Sequence, residues 1–424
     1  MAKTTSKIIA LALTGVCAST SANAAGWQLN DFSVAGLGRA YAGGGVVGDD
    51  YSALAYNPAG MTLGGTGVQA GISVIQLHAD VTGEYLAGSG KRDSTNVNVT
   101  TEVPNFFAQY KVNDRVAVGF GVYVPFGLAI EYPKDWIGTD HGIDSELAVI
   151  DYSTAVAVKA TDKLSLGLGI FARNANVDLT SSMTIPSGPV AGKYENEFDL
   201  DDWGWGLHVG AMYEFTKNTR LGVSYRSRSQ HQIKGDFDYM KGAPGIAGTY
   251  DATLPMDAPE QVQLSGYHKL NDKIGLSAGA KWTRWSRFNA LVIKNSASPV
   301  EVAQRWQNAW NVSFGMDYYH SENWTFRTGI GFDESPVPNS YERTTAIADN
   351  DRWEIALGAS YKKSAWTFDM GYMFLYLPHY KVRNDRHNLN NVQTNPLLQP
   401  IDARYHTTAH VLGLQVQYSF DATP

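Results

Sequence analysis

The stretch LSLGLGIF, residues 164–171, alternates large apolar residues with small ones, and this pattern decides the fold. Leucine or isoleucine occupies each even position, and serine or glycine occupies the odd positions up to 169. Because successive side chains of a strand face opposite sides, a period of two predicts a β-strand between two different environments. The same alternation recurs within residues 324–332, 353–361, 366–372 and 412–420. The chain is therefore predicted to be all-β.

The connections between these stretches alternate in length. Tight turns are predicted at 113–115, 161–163, 216–218, 271–272, 321–323 and 362–364, and long polar loops at 180–200, 235–257, 335–350 and 378–405. Short turns at one end and long loops at the other are typical of an up-and-down outer-membrane barrel. We therefore predict a 14-stranded antiparallel transmembrane β-barrel over residues 65–424. Its strands are expected at 65–80, 103–112, 115–125, 149–160, 163–178, 202–215, 219–233, 258–270, 272–293, 305–319, 323–334, 351–362, 364–377 and 406–420.

Aromatic side chains flank the predicted short turns. They are Tyr110, Tyr213, Phe215, Tyr318, Tyr319, Trp324, Tyr361 and Trp366. Rings at strand ends indicate an interfacial aromatic belt; a soluble β-protein, the alternative, would not place them so regularly. The end of the last predicted strand, Tyr418-x-Phe420, resembles the C-terminal signal of outer-membrane proteins. We therefore expect a bacterial outer-membrane location, contact with membrane lipid and lipopolysaccharide, and recognition by the outer-membrane assembly machinery.

Residues 1–24 have the features of a secretory signal peptide. Two lysines precede the apolar run IIALALTGVCA, and Ala22-Asn23-Ala24 is a small-x-small cleavage site. The apolar run is far shorter than the roughly 20 residues of a spanning helix. A lipoprotein is the other alternative, but Val16 before Cys17 fits such a processing site poorly.

Charge and cysteine content exclude several classes of partner and site. The formal net charge is −7 and becomes more negative when the two leader lysines are removed, so nucleic acid is not an expected partner. Cys17 is the only cysteine, which argues against a disulfide scaffold, a thiolate zinc site and a cysteine nucleophile. The ten histidines show no H-E-x-x-H pairing. Neither a metal nor a cofactor is predicted.

The opening segment of the mature chain, residues 25–64, precedes the first predicted strand. It carries nine large apolar or aromatic side chains, too many for a disordered tail, which is the alternative: Trp27, Leu29, Phe32, Leu37, Tyr41, Tyr51, Leu54, Tyr56 and Met61. A barrel of 14 strands encloses more space than side chains alone fill. We therefore predict that residues 25–64 form a plug inside the lumen.

Three stretches carry a resemblance to a known family. They are GWQLNDFSVAGLGRAYAGGG with NPAGM in residues 26–61, GVYVPFGLAIEYPKDWIG in 121–138 and GFDESPVPNSYERTTAIADNDRWEIALG in 331–358. Together they resemble the long-chain fatty acid outer-membrane transporter (FadL) family. The resemblance implies diffusive uptake of hydrophobic compounds, typically long-chain fatty acids, through a barrel whose plug is called the hatch. It also implies that the Asn57-Pro58-Ala59 element takes part in gating.

The resemblance further implies that ligand leaves sideways through a gap where the third strand bends inward. The sequence supplies a cause for such a bend, because Gly119, Gly121, Pro125 and Gly127 crowd the end of that strand around Phe126. Pro125 has no N–H to donate to the ladder. The alternative is an ordinary strand end that enters a loop.

A fatty acid carboxylate needs a cation or amide donors in the lumen. Alternation predicts that Phe171 and Arg173 face inward, and Arg173 resembles a family position at which an arginine meets the fatty acid head. Four further basic residues are predicted to face inward and to be candidates for ligand binding: Arg226, Arg228, Lys281 and Arg327. The alternative is that these cations pair with lumen carboxylates such as Glu214, Asp317, Glu354 and Asp369.

Rival functions make different demands on the sequence. Aromatic hydrocarbons could replace fatty acids as cargo on the same fold, and an open aqueous porin would lack a plug. A barrel lipid hydrolase would need a Ser/His/acid set; GLSAG at 275–279 matches the nucleophile motif, but Ser277 falls in mid-strand instead of on a strand–turn–helix. The sequence therefore predicts a transport channel and not an enzyme.

Overall fold

The computed structural model describes residues 26–85, 91–297, 300–384 and 401–421, so the predicted signal peptide lies outside the described residues. The chain is dominated by strands. Their bounds are β1 Gly67–Tyr85, β2 Arg92–Lys111, β3 Val116–Glu131, β4 Asp144–Lys159, β5 Leu164–Ile185, β6 Gly192–Thr216, β7 Thr219–Arg226, β8 Ser229–Lys241, β9 Gly248–Ala258, β10 Gln261–Lys269, β11 Ile274–Thr283, β12 Ala290–Asn295, β13 Val300–Ala303, β14 Ala309–Tyr319, β15 Trp324–Asp333, β16 Arg352–Lys363, β17 Trp366–Asn384 and β18 Ile401–Ser419.

The strands form one closed antiparallel sheet. Each strand pairs with its neighbours around the wall, and β1 closes the ring by pairing with both β2 and β18. Four wall strands are each built from two segments in line: β7 with β8, β9 with β10, β11 with β12, and β13 with β14. The described strands thus occupy 14 positions, which confirms the predicted 14-stranded barrel.

Several predicted loops are strands instead. The loops predicted at 180–200 and 235–257 are largely occupied by the ends of β5, β6, β8 and β9, which continue far beyond the predicted limits. The alternation continues there, but charged residues replace apolar ones on the outward positions, for example Asp178, Asp199 and Asp236. Strands that rise above the lipid keep their ladder and lose the apolar outer face, so a hydrophobic pattern ends before the strand does.

The outer surface of the wall is apolar over a broad band. Leu166, Leu168 and Ile170 are each about half exposed, whereas Ser165 is 2% exposed, as the alternation of LSLGLGIF predicts. Of the predicted belt, Tyr110, Tyr213, Phe215, Tyr318, Trp324 and Trp366 are exposed. Tyr319 is not outside: its hydroxyl lies 2.7 Å from the Tyr267 hydroxyl. No helix in the described residues is long and apolar enough to cross a membrane.

Residues 26–64, the described part of the segment that we call the hatch (residues 25–64), lie within the ring of strands. The hatch contains two short helices, α1 Val34–Leu37 and α2 Ala53–Tyr56, and a 3-10 helix, Pro58–Leu63. α1 packs against β16, β17 and β18, and the 3-10 helix packs against β3 to β7. Contacts with both sides of the wall, and burial of nearly every hatch residue, show that this segment fills the lumen.

Glycine permits the tight path of the hatch. Gly43, Gly45 and Gly48 adopt φ values of +71°, +78° and +77°, a region that other residues rarely enter. GGGVVG at 43–48 is therefore a turn-forming sequence that fits between wall strands. Glycines of the wall allow the hatch to approach closely, because a Cβ at Gly358 of β16 would lie only 2.8 Å from the Gly38 Cα.

Candidate functional site

The Asn57-Pro58-Ala59 element packs against glycines of the wall. A Cβ on Gly167 of β5 would overlap the backbone of Pro58 and Ala59, and a Cβ on Gly210 of β6 would overlap the Asn57 side chain. Gly167 and Gly210 are direct partners in the β5–β6 ladder. The residues predicted for gating thus contact the wall at two adjoining strands that lack side chains at the point of contact.

Hydrogen bonds hold this element in place. The Asn57 side-chain amide donates to the Ala211 carbonyl oxygen at 3.1 Å, and its Oδ1 accepts from the Ala59 N–H at 3.1 Å. The Ser224 hydroxyl donates to the Tyr56 carbonyl oxygen at 2.7 Å. The amide therefore links the first turn of the 3-10 helix to β6, and any movement of the element breaks these bonds together.

A second set of contacts is ionic and joins the hatch to the opposite side of the wall. Arg39 of the hatch lies 2.6 Å from Asp49 and 2.9 Å from Asp317 of β14. Arg327 of β15 lies 2.9 Å from Asp49, 3.1 Å from Asp317 and 3.5 Å from Asp369 of β17. We call these five residues the ionic latch. Since its carboxylates enclose the Arg327 guanidinium, Arg327 is a structural contact and does not line the cavity described below.

Electrostatics favour the charged state of the ionic latch. Burial by itself would raise the pKa of Asp49, but the guanidiniums of Arg39 and Arg327 outweigh that effect and hold the pKa well below its usual range. The Asp49 carboxylate therefore stays charged through the physiological pH range, and the hatch keeps its anion between two arginines.

Arg173 and Arg226 share one carboxylate. The Nε and Nη2 of Arg173 donate to the two carboxylate oxygens of Asp151 at 2.6 and 2.9 Å, and Arg226 also contacts Asp151. The Phe171 ring lies under both guanidiniums, at 4.7 Å from the Arg173 Cζ and 4.3 Å from the Arg226 Cζ. Arg173 is 1% exposed. The predicted head-group arginine is thus enclosed and already neutralised.

A cavity lies between hatch and wall beside this cluster. Its lining comprises Leu29, Phe32, Ala55, Tyr56, Pro125, His208, Ser224, Arg226, Gln261, Gln263 and Lys281. The empty space enclosed by these residues, including its opening to solvent, is about 350 Å³. Apolar hatch side chains form one side of the cavity, and basic and amide groups of the wall form the other.

Two of the predicted ligand-binding residues, Arg226 and Lys281, meet in this cavity. The Lys281 ammonium donates to the side-chain oxygen of Asn30 in the hatch, and Lys281 forms no ion pair within the described part of the chain. Asn30 and His208 were not predicted. Asp151 was also missed, although its inward position opposite Arg173 in the β4–β5 register could have identified it.

The prediction that Arg228 faces inward is wrong. Its side chain is 40% exposed and pairs with Asp257 at 3.2 Å. Arg226 ends β7 and Ser229 begins β8, and both are buried. The break at residues 227–228 therefore inserts one extra residue, which shifts the alternation so that Arg228 no longer shares a face with Arg226.

The third strand leaves its neighbour at the point predicted. The ladder between β2 and β3 runs from Lys111↔Ala117 only as far as Phe106↔Val122. Beyond it, β3 stays paired with β4 through an irregularity between Tyr123 and Phe126. Residues 123–130 are all buried, so this half of β3 has lost its outward face and bends into the lumen.

The bent half of β3 pairs with the start of the hatch. Gln28 forms an antiparallel bridge with Phe126. The Leu29 N–H donates to the Pro125 carbonyl at 2.9 Å, and the Gly127 N–H donates to the Trp27 carbonyl at 2.8 Å. Near the other end of the hatch, Met61 and Leu54 would meet a Cβ on Gly119. The predicted gating residues of β3 are therefore hatch contacts.

Two chemical sites considered from the sequence, a metal cluster and a serine nucleophile at GLSAG, can be checked in the described residues. No group of three His, Cys, Asp or Glu side chains is arranged to hold a metal ion within residues 26–85, 91–297, 300–384 and 401–421. Ser277 lies in the middle of β11, so the strand–turn–helix that a serine nucleophile motif requires is not present there.

Comparisons with known proteins agree with this architecture. The chain is 30% identical over 401 residues to the long-chain fatty acid transport protein of Salmonella typhi, covering 87% of this chain and 91% of that protein. In fold it resembles a FadL homologue of Pseudomonas aeruginosa, with a TM-score of 0.82 at 23% identity over 93% of this chain and all of that one. It also resembles the toluene transporter TodX of Pseudomonas putida, with a TM-score of 0.67 at 16% identity over 94% of this chain and all of that one.

The family assignment follows from the sequence profile as well as from the barrel. The profile described as "Outer membrane protein transport protein (OMPP1/FadL/TodX)" matches residues 15–420, which is nearly the whole chain. A closed 14-stranded barrel filled by its own N-terminal segment is the matching architecture. The chain is a multi-pass β-barrel of the bacterial outer membrane and belongs to the OMPP1/FadL/TodX family of outer-membrane transport proteins.

Proposed function

We propose that this protein admits long-chain fatty acids across the outer membrane by diffusion, binds them in the cavity between hatch and wall, and releases them through a lateral opening at the bend of β3. The single observation that carries the proposal is the cavity itself. It places the Lys281 ammonium opposite apolar hatch side chains such as Leu29 and Phe32. Such a site suits a molecule with one anionic end and a long apolar body.

Lys281 is the proposed partner of the fatty acid carboxylate. Arg173 and Arg226 already share Asp151, so an incoming anion would have to compete with a buried carboxylate for them. Lys281 has only the neutral Asn30 side chain to displace. A charge-assisted hydrogen bond is stronger than a neutral one. We therefore assign the head-group contact to Lys281 instead of Arg173, with Arg226 beside it.

Tight binding makes release the difficult step. Burying methylenes contributes about 0.8 kcal/mol each, so a sixteen-carbon tail gains on the order of 12 kcal/mol before entropic losses. A closed pocket of that quality would hold its ligand too long for transport. The hatch forms one side of the cavity, so its displacement would open the pocket and lower the affinity. The Lys281–Asn30 contact would couple the two events.

The unpaired edges of β2 and β3 support a lateral exit. Above Phe106↔Val122, β2 is paired with β1 and no longer with β3, and β3 is paired with β4 and with the start of the hatch. An opening there would deliver an apolar ligand into the membrane and not into water. Channel transport of this kind involves no bond-making, and we assign no catalytic activity to the protein.

Replacing Lys281 by glutamine is expected to separate fatty acids from uncharged cargo. Loss of the cation should weaken oleate binding by about 10- to 100-fold, because a hydrogen bond to a charged group contributes about 1.5–3 kcal/mol. Toluene uptake should not change, since toluene has no anion to hold. The matched control is Lys269→Gln in the neighbouring β10, because Lys269 forms an exposed pair with Asp272 and does not line the cavity. Unchanged oleate binding with reduced toluene uptake would assign the channel to aromatic hydrocarbons instead.

A cross-link over the gap tests the lateral exit separately. If the β2–β3 register continued, Thr101 would face Gly127, so cysteines at these two positions joined by a bifunctional maleimide would tie the unpaired edges together. Oleate uptake should fall while oleate binding persists, because only the exit is closed. A disulfide between cysteines at Ala108 and Phe120, partners in the intact ladder, should leave uptake unchanged. Equal uptake in both linked variants would argue against exit at β3.

A further inference from the structure

The wall is interrupted a second time, far from β3. The ladder between β10 and β11 ends at Gln261↔Thr283 and is extended by one bond, from the Arg284 N–H to the Glu260 carbonyl at 3.0 Å. Pairing between the same two wall strands resumes only at Lys294↔Thr253 and Asn295↔Ala252. Between these points residues 254–259 face the longer segment 285–293, and the two segments, both fully described, share no backbone pair.

Proline keeps this interruption open. Pro255 and Pro259 lie in the unpaired part of the β9 side, and proline cannot donate to a ladder and is confined to edge strands. The same residue type, Pro125, marks the bend of β3. The sequence thus excludes full pairing at two separate places of a barrel that is otherwise closed.

Side-chain ion pairs take the place of the missing ladder. The Glu260 carboxylate accepts from the Arg287 Nε at 2.6 Å and Nη2 at 2.9 Å, and from the Arg284 Nη1 at 3.0 Å. The side chains of Arg287 and Arg284 are 29% and 47% exposed, whereas that of Glu260 is 8% exposed. We call these three residues the clamp. It fastens the two edges at one end of the interruption, on the outer side.

An aromatic pocket lies behind the clamp. Trp285, Phe288 and Trp306 surround Trp27 of the hatch with ring centroids 5.1, 4.6 and 5.1 Å away. All four rings are at most 5% exposed. Trp285 and Phe288 belong to the unpaired segment itself, and Gln261, next to Glu260, lines the cavity. A passage through the interruption would therefore meet aromatic rings first and the cavity next.

We propose that the interruption between β9 and the β11–β12 connection is a second port in the side of the wall, closed by the Glu260–Arg284–Arg287 clamp, through which uncharged ring-bearing molecules at the outer surface enter the lumen at the Trp27 pocket. The proposal rests on the proposed transport of apolar molecules through this lumen. Edge-to-face contacts such as those around Trp27 suit any aromatic ring of similar size. An entering ring would therefore take the position of the Trp27 side chain when that side chain moves away.

Thiol labelling tests the port without measuring transport. The sequence has one cysteine, Cys17, in the predicted leader, so an introduced cysteine is the only thiol of the mature chain. Met256→Cys places it on β9 in the interruption, and Ile233→Cys places a thiol that is also buried on β8, at a position paired with Leu254 of β9. N-benzylmaleimide added to intact outer membranes is the probe.

The port predicts selective and clamp-dependent labelling. The Met256→Cys thiol should react faster than the Ile233→Cys thiol, and adding Glu260→Gln should increase the rate in the Met256→Cys variant by about tenfold, because the charge-assisted bonds of the clamp are lost. Toluene should protect the thiol at position 256 by competing for the pocket, and a charged maleimide should react more slowly than N-benzylmaleimide, because the pocket is lined by aromatic rings. Arg287→Gln repeats the test should Glu260→Gln impair folding.

The port would be overturned by equal labelling rates at positions 256 and 233. It would also be overturned if the rate at position 256 were unchanged by both clamp variants and by toluene. These readouts are independent of the head-group site. A Lys281→Gln variant that still bound oleate normally would contradict the proposed fatty acid function and leave the labelling result unaffected, so the two failures are distinguishable.

Discussion

Replacing Arg39 by alanine is expected to detach the hatch from the β14–β17 side of the wall and to make the barrel leak. Arg39 is 3% exposed, and its guanidinium lies between Asp49 and Asp317. Its removal leaves the carboxylates of Asp49, Asp317 and Asp369 to share Arg327. Breaking a buried ion pair on one side costs about 3–5 kcal/mol. That cost lowers the stability of the docked hatch, because Asp317 belongs to the wall while Arg39 and Asp49 belong to the hatch.

Single-channel conductance in planar bilayers and sensitivity of cells to large antibiotics measure the leak. Arg92→Ala is the matched control, because Arg92 forms an exposed pair with Glu84 and such pairs contribute at most about 1 kcal/mol. The double variant that removes both Arg39 and Asp49 should conduct less than Arg39→Ala. In the double variant the hatch no longer carries the Asp49 carboxylate, so Arg327 pairs only with wall carboxylates. A conductance of Arg39→Ala as low as that of Arg92→Ala would show that the ionic latch does not hold the hatch.

The barrel could be predicted from the sequence because lipid forces the alternation. Lipid-facing positions must be apolar and lumen-facing positions need not be, so stretches such as LSLGLGIF report both the strand and its orientation. The strand ends could not be predicted in the same way. Above the membrane both faces are polar, and strands such as β5 and β6 continue through sequence that alternation alone assigns to loops.

The candidate site was predictable in its parts and not in its pairings. Alternation along one strand predicts that Arg173, Arg226 and Lys281 face the lumen, but it does not predict how neighbouring strands are tilted past one another. The Arg173–Asp151 pair depends on that register, and so does the neutral partner of Lys281, the Asn30 side chain. The prediction for Arg228 failed for a local reason, because a break of two residues after β7 reverses the alternation at the start of β8.

Gly167→Val is expected to be the most damaging single change in the wall. Its Cβ would coincide with backbone atoms of Pro58 and Ala59, and backbone cannot turn aside as a flexible side chain does. Forcing extra atoms into a packed site costs about 1–3 kcal/mol and occasionally more. At about 3 kcal/mol the equilibrium between docked and undocked hatch shifts by roughly 100-fold. The barrel should still assemble, because valine favours strands, but it should assemble unplugged.

The matched variant is Gly266→Val in β10, where the nearest atom to an added Cβ is a Leu221 methyl at 3.8 Å. Both variants add the same residue to a wall strand, so a difference between them isolates contact with the hatch. Gly167→Val should raise conductance strongly and abolish saturable oleate uptake, whereas Gly266→Val should behave as the parent. If the Asn57-Pro58-Ala59 element gates the channel, its contact with Gly167 must be needed to keep the lumen closed. A Gly167→Val channel with low conductance and saturable oleate uptake would mean that the hatch closes the lumen without that contact.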